Sequence, residues 1–112
     1  MFSNKGNISD EQILVGIKDD NQKAFKTLFD RYYPMVLTFC RRLLGRGEEA
    51  SDAALEVFVK LWTGRHCLYC KEGSLKPVIF TFSKNTVIDI LRKRVRTSEH
   101  VSVSESFVSL DP

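Results

Sequence analysis

The chain has 112 residues and carries 17 Lys and Arg against 14 Asp and Glu, which gives a net charge of +3. This length corresponds to one domain, and a composition of 43% hydrophobic and 28% charged residues is that of an ordinary globular protein. This composition excludes a collagen-like repeat, a coiled-coil rod and a chain that is disordered throughout. No apolar run reaches the roughly 20 residues that span a bilayer, and the polar N-terminus is not a secretion signal. We therefore expect a cytoplasmic protein.

The first predicted helix runs from about Glu11 to Asp19, where apolar residues recur at helical spacing. Ser9 and Gln12 stand three residues apart, which is the spacing of a capping box that satisfies the first backbone N–H groups of a helix.

The second predicted helix runs from about Gln22 to Leu44, with Asp20 as its N-cap and Gly45 as a left-handed C-cap. Pro34 lies inside the pattern and removes a backbone donor there, so we expect a kink or a division into two helices.

A third helix is predicted over roughly Glu48 to Thr63 and a fourth over roughly Leu75 to Arg96, with Ser74 as N-cap and Pro77 in the first turn. No strand pattern competes in this part of the chain. The sequence thus predicts an all-α fold, a compact bundle of about four helices.

The ends of the chain differ from this body. Residues 1–9 are predicted to be an N-terminal arm and residues 10–97 the helical domain. Residues 98–112 are rich in serine and alternate Val with Ser, which is typical of a flexible linker to another part of a longer protein.

The third helix has more apolar surface than one packed face requires. Ala54, Val57, Phe58 and Leu61 form one stripe, and a second stripe consists of Leu55, Val59 and Trp62. The second stripe indicates a docking surface for a partner. Alternatively, the helix is central and packed on both sides, with Trp62 in the core.

The fourth helix carries polar and cationic side chains along one edge, within about 60° of one another at 100° per residue. These are Thr81, Asn85, Arg92 and Arg96. Cations neutralise phosphates, while Asn and Thr can bond base edges, so the strip fits nucleic acid. Alternatively, the arginines have no partner role and are favoured there only because cations interact well with the negative end of a helix dipole. Phe80 and the other apolar residues of this helix occupy other parts of its circumference and are expected mostly to serve the core.

Three blocks of the sequence resemble conserved region 2 of the bacterial RNA polymerase sigma factors, most closely the extracytoplasmic-function (ECF) class. In chain order they read DEQILVGIKDDNQKAFKTLFDRYYPMVLTFCRRLLG, ASDAALEVFVKLW and GSLKPVIFTFSKNTVIDILRKR. The resemblance covers about residues 10–97. Nothing in the chain resembles region 4, the helix-turn-helix domain of these proteins, so we expect an excised or truncated region 2.

The resemblance implies that the third helix docks on the clamp helices of the polymerase β′ subunit. Residues at the matching positions are Asp52, Leu55, Glu56, Val59, Lys60 and Trp62. Leu55 stands where the family usually has Gln, which implies a more apolar contact. An anti-sigma factor, common in this class, would compete for the same stripe.

The resemblance also implies that the fourth helix recognises the promoter minus-ten element and holds the non-template strand after melting. Asn85, with Thr81 on the same edge, matches a base-reading position. The segment that contacts the DNA backbone comprises Lys84, Arg92, Lys93, Arg94 and Arg96. The loop 64–74 matches one that receives a flipped base, for which Tyr69 is either the stacking partner or an ordinary surface tyrosine.

The same loop contains the sequence H-C-x-x-C, formed by His66, Cys67 and Cys70. Two cysteines at this spacing are a half-site for zinc or a pair for a reversible disulfide, but they are most simply two thiols without a special role, so we assign no metal. Cys40 lies on a core stripe and is expected to be a small buried hydrophobe.

The sequence predicts neither an enzyme nor a bound cofactor, because it contains no phosphate-binding glycine loop, nucleophile elbow or acid–base pair of carboxylates. Two alternatives to a transcription initiation domain stay open at this point. One is a helical protein–protein interaction module, and the other is a stand-alone DNA-binding regulator.

Overall fold

The computed structural model describes residues 8–98, and the side chains among them as far as Arg96. Four α-helices follow one another: α1 (Asp10–Lys18), α2 (Gln22–Leu44), α3 (Glu48–Thr63) and α4 (Lys76–Ser98), with a 3-10 helix (Arg65–Cys67) between α3 and α4. Helix α2 packs against the other three, and α3 also packs against α4. The described residues contain no strand, only one isolated bridge. The predicted all-α bundle is confirmed, whereas the predicted tail lies almost wholly outside the described residues.

The ends of α1 and α2 show how local sequence begins a helix. The capping box of α1 is confirmed. The backbone amide of Gln12 donates to Ser9 Oγ at 3.1 Å, and the backbone amide of Ser9 donates to Gln12 Oε1 at 3.0 Å. The predicted N-cap Asp20 is wrong. Asn21 caps α2, because its Oδ1 accepts from the amides of Lys23 and Ala24, while Asp20 occupies the left-handed region with φ of 61°.

Two predictions concern backbone interruptions in α2. Pro34 does not divide the helix, which continues from Gln22 to Leu44. At its end Gly45 has the positive φ of 94° that favours glycine, but its ψ of 178° lies far from the left-handed helical region, so the expected left-handed cap is corrected.

The core is built from one buried face of each helix. Its largest fully buried apolar side chains are Ile13, Ile17, Leu28, Val36, Val57, Leu61, Leu75, Ile79 and Val87. Cys40 is buried among them as expected, and burial raises the pKa of its thiol to about 11. Val87 and Leu91 of α4 are buried as expected, whereas Phe80 on the same helix is 45% exposed.

A buried carboxylate joins three helices. Asp10 is 8% exposed, and its Oδ1 accepts from the Arg31 guanidinium at 3.0 Å, while its Oδ2 accepts from the Tyr32 hydroxyl. The same Oδ2 also accepts from the backbone amide of Leu75 at 2.8 Å, immediately before α4 begins. Residues from α1 and α2 thereby hold the start of α4.

The pKa of Tyr32 reflects its position beside the buried Asp10. Burial, followed by the hydrogen bond to Asp10, raises the pKa of Tyr32 to about 12. The phenol therefore stays protonated and continues to donate to the carboxylate throughout the neutral pH range.

We expect Asp10→Ala to lower the free energy of unfolding by about 3 kcal/mol, because it leaves a guanidinium, a phenol and a buried amide without their common acceptor. Urea denaturation followed by circular dichroism measures the change. The matched control is Glu11→Ala, which removes the neighbouring, exposed first-turn acid and should cost less than about 1 kcal/mol. Equal losses for the two variants would contradict the proposed role of Asp10.

Candidate functional site

Helix α3 has one buried and one exposed apolar face. Ala54, Val57 and Leu61 are fully buried, so the first predicted stripe faces the core. On the second stripe Leu55 is 47% exposed and Val59 is 60% exposed. These two aliphatic side chains lie one helical turn apart and form a small apolar patch on the surface.

Polar residues border this patch. Asp52 and Glu56 are exposed on α3. Lys60 lies at the boundary with α4, because its Nζ contacts Glu56 Oε2 at 3.3 Å and donates to the buried Thr86 Oγ1 at 3.2 Å. Lys60 therefore connects the polar edge of α3 to α4, and the open part of the patch is bordered by acidic groups.

Trp62, the third member of the predicted stripe, is half-buried and contacts two side chains of the domain. Its ring meets Phe25 edge-on at 5.2 Å, and the Arg65 guanidinium lies 4.2 Å from the ring centroid. Arg65 also donates to the Trp62 carbonyl at 2.7 Å and to Asp20 Oδ1 at 2.8 Å. The structure thus separates Trp62, which is engaged within the domain, from the open pair Leu55 and Val59.

The polar edge of α4 is exposed along its length. Thr81, Asn85, Arg92 and Arg96 are all exposed, as their helical spacing predicts. The Thr81 hydroxyl donates to the Pro77 carbonyl at 3.1 Å, which leaves its oxygen lone pairs available as acceptors. An exposed hydroxyl and amide therefore share one edge with two guanidinium groups.

The other three cations predicted to bind DNA differ in exposure and in ion pairing. Lys93 is exposed, whereas Lys84 is half-buried. Arg94 pairs with Glu49 in the first turn of α3, so part of its charge is already neutralised within the domain. The basic segment therefore contributes unequally to the positive surface, and Arg94 also ties the end of α4 to α3.

The loop between α3 and α4 presents Tyr69, which is 59% exposed, next to the buried Leu68 that anchors the loop. A tight turn follows, in which the Lys71 amide donates to the Ser74 carbonyl at 2.9 Å. Both central residues of the turn have positive φ, 54° at Glu72 and 80° at Gly73. The aromatic ring is therefore presented on an anchored loop just before α4.

The loop between α3 and α4 also carries His66, Cys67 and Cys70, the weak candidates for metal ligands. Among residues 8–96, no three His, Cys, Asp or Glu side chains come together as a metal-ligating group, so the weak candidates His66, Cys67 and Cys70 are not assembled into one. Cys67 is exposed and Cys70 is half-buried, both as free thiols. Burial, and then the nearby Asp10 carboxylate, raises the pKa of Cys70.

Sequence reasoning missed two residues that shape this site. Arg65 stands three positions after Trp62, and this helical-neighbour spacing could have suggested their contact. Asp10 stands 65 positions before Leu75 in the chain, and no local pattern connects residues so far apart.

Comparison with known proteins decides the family. A family model, described as Sigma-70 region 2, matches residues 28–97, which include most of α2, all of α3 and the exposed edge of α4. The chain belongs to the sigma-70 region 2 family. Sigma factors act in transcription initiation and are not a class of enzymes.

A curated relative supports the ECF type. The ECF RNA polymerase sigma factor RpoE of Cereibacter sphaeroides is 30% identical over 73 residues, which are 65% of this chain and 40% of that protein. The chain thus spans about two fifths of the length of this relative. No solved structure matches the chain. In the described residues, no helix is long and apolar enough to cross a membrane.

We expect Arg65→Ala to lower the free energy of unfolding by about 1 kcal/mol, because it removes a cation–π contact and a partly exposed ion pair. Trp62 is the single tryptophan of the chain, so its fluorescence emission should shift to longer wavelength as one ring face meets water. The control is Asp20→Asn, which weakens the ion pair but keeps the guanidinium over the ring. An unchanged emission spectrum in Arg65→Ala would show that the stacking does not persist in solution.

Proposed function

We propose that this domain docks on the β′ clamp helices of core RNA polymerase through α3. We further propose that it recognises and melts the promoter minus-ten element with α4, where it captures the non-template single strand. The observation that carries the proposal is the pairing of two unlike exposed surfaces on adjacent helices. An apolar patch with acidic neighbours lies on α3, and an edge with cationic and amide groups lies on α4.

The α3 patch supports protein docking. Leu55 and Val59 remain about half exposed although the same helix buries its opposite face completely. Their burial on a partner would remove apolar surface from water, while Asp52 and Glu56 would meet basic groups at the rim. Lys60 and Trp62 would contribute at the edge, because both already make contacts within the domain.

The α4 edge supports binding of a melted strand. Arg92, Lys93 and Arg96 would neutralise phosphates, and Lys84 and Arg94 would add to the field from less open positions. Asn85 and Thr81 would reach base edges, because each offers hydrogen-bonding atoms on the exposed side of the helix. Tyr69, presented on the preceding loop, would stack on a base that has left the duplex.

In this function the polymerase carries out the chemistry of transcription, and the domain is a non-enzymatic recognition subunit that acts in the cytoplasm. An anti-sigma factor that occludes the domain would gain most by covering Leu55 and Val59, since exposed aliphatic side chains supply binding energy on burial.

We expect Leu55→Asp and Val59→Asp each to weaken binding to a β′ clamp fragment at least about tenfold, because a charge would be buried without a partner. Titration calorimetry measures the affinity. Val15→Asp is the matched control, since Val15 is 70% exposed on α1 and lies outside the patch. Undiminished binding in both α3 variants would exclude the proposed docking surface and favour a stand-alone DNA-binding regulator.

On promoter DNA, we expect Asn85→Ala and Arg92→Ala to have different effects. Asn85→Ala should lose about 1–3 kcal/mol of discrimination at one base of the minus-ten element, because an amide that reads a base edge is removed. Arg92→Ala should weaken binding to all promoter sequences alike. It should also reduce the slope of log affinity against log salt concentration by about one, because one phosphate contact is lost. Both are measured by binding of the reconstituted holoenzyme to forked promoter fragments at several salt concentrations.

The control for these DNA measurements is Lys26→Ala, which removes an exposed cation on α2 that pairs with Asp30. Its affinity and salt dependence should match those of the unmodified protein. A uniform loss across all sequences for Asn85→Ala would contradict its assignment as a base-reading residue.

A further inference from the structure

A groove of about 470 Å³ lies between α2 and the first half of α4, away from the exposed α3 patch. Its walls are Pro34, Met35 and Phe39 on one side and Phe80 on the other, and the cations Arg42 and Lys76 line it as well. The Phe39 and Phe80 rings meet edge-on at 5.0 Å, yet Phe80 keeps 45% of its surface exposed. The groove is thus aromatic inside and positively charged around it.

The charge of the chain is divided in a way that fits this groove. Residues 99–112 contain three acids, Glu99, Glu105 and Asp111, and no Lys or Arg. Residues 1–98 therefore hold 17 basic against the remaining 11 acidic side chains, a charge of +6. The last part of the chain is the acidic counterpart of a basic body.

The same segment contains the apolar side chains that an aromatic groove would accept. The sequence Glu105-Ser106-Phe107-Val108-Ser109-Leu110-Asp111 places an aromatic and two aliphatic residues between two acids. Apolar anchors flanked by carboxylates match an aromatic groove next to Arg42 and Lys76 in both hydrophobicity and charge.

The length of the chain allows this contact within one molecule. From Ser98 back to Phe80 is about 27 Å along α4, at about 1.5 Å per residue. Phe107 follows Ser98 by nine positions, and an extended chain of that length reaches about 30 Å. Val101 and Val103 stand too close to Ser98 to reach, since five residues extend only about 17 Å.

We propose that the acidic segment 105–111 folds back along α4 and occupies the groove between α2 and α4, with Phe107 against Phe80 and its carboxylates next to Arg42 and Lys76. Because the contact needs an almost fully extended tether, tethering adds little effective concentration, and we expect the occupancy to depend on the apolar and ionic contacts of the segment itself. This contact goes beyond the proposed function and does not depend on it.

The test uses the 112-residue chain labelled with ¹³C at its methionine methyl groups. The chain has two methionines, and Met35 lines the groove while Met1 is far from it in sequence. We expect Phe107→Ala to shift the Met35 methyl resonance, because the ring current of Phe107 is lost. High salt should move the unmodified protein towards the same position, because it screens the ion pairs.

The matched control is the double variant Val101→Ala, Val103→Ala, which alters the same segment out of reach of the groove and should leave the Met35 resonance in place. An unchanged Met35 resonance in Phe107→Ala would overturn the proposal, as would an equal shift in the control variant. A Met35 shift that disappears on dilution would also overturn it, since the groove would then be filled by a second copy of the chain.

Discussion

A single carboxylate, that of Asp10, accepts hydrogen bonds from Arg31, Tyr32 and the backbone amide of Leu75. Because these donors belong to α2 and to the start of α4, the position of α4 relative to the bundle depends on this buried group. A carboxylate at the N-terminus of a helix is also favoured by the helix dipole. The exposed edge of α4 therefore depends on a buried contact made immediately before that helix begins.

Helix α3 shows how a small domain can leave apolar residues outside without weakening its core. The inner face of α3 contains Ala50, Ala53 and Ala54, all buried, together with Val57 and Leu61. Small side chains let the neighbouring helices approach closely, so the core is filled without a contribution from Leu55 and Val59. The outer face is consequently available for a partner at no cost to the packing.

Helix α4 divides its circumference among three roles. Val87 and Ile79 face the core, Thr81 and Asn85 lie on the edge proposed for DNA, and Phe80 borders the groove shared with α2. The proposed DNA edge and the proposed site for the acidic segment are thus adjacent but separate. The proposal for the α4 edge is supported by membership of the family, whereas the proposal for the groove follows from the charge distribution of this chain.

The sequence by itself determined the helices, the capping box at Ser9, the inner stripe of α3 and the polar edge of α4, because each depends on residues three or four positions apart. It also indicated the family, through three blocks in a fixed order. Only the tertiary structure decided which apolar residues stay outside. Trp62 is covered by Phe25 and Arg65, and Phe80 is half exposed. The reason is physical: burial depends on neighbours distant in the chain, and the Asp10 contact with Leu75 joins residues that no local spacing relates.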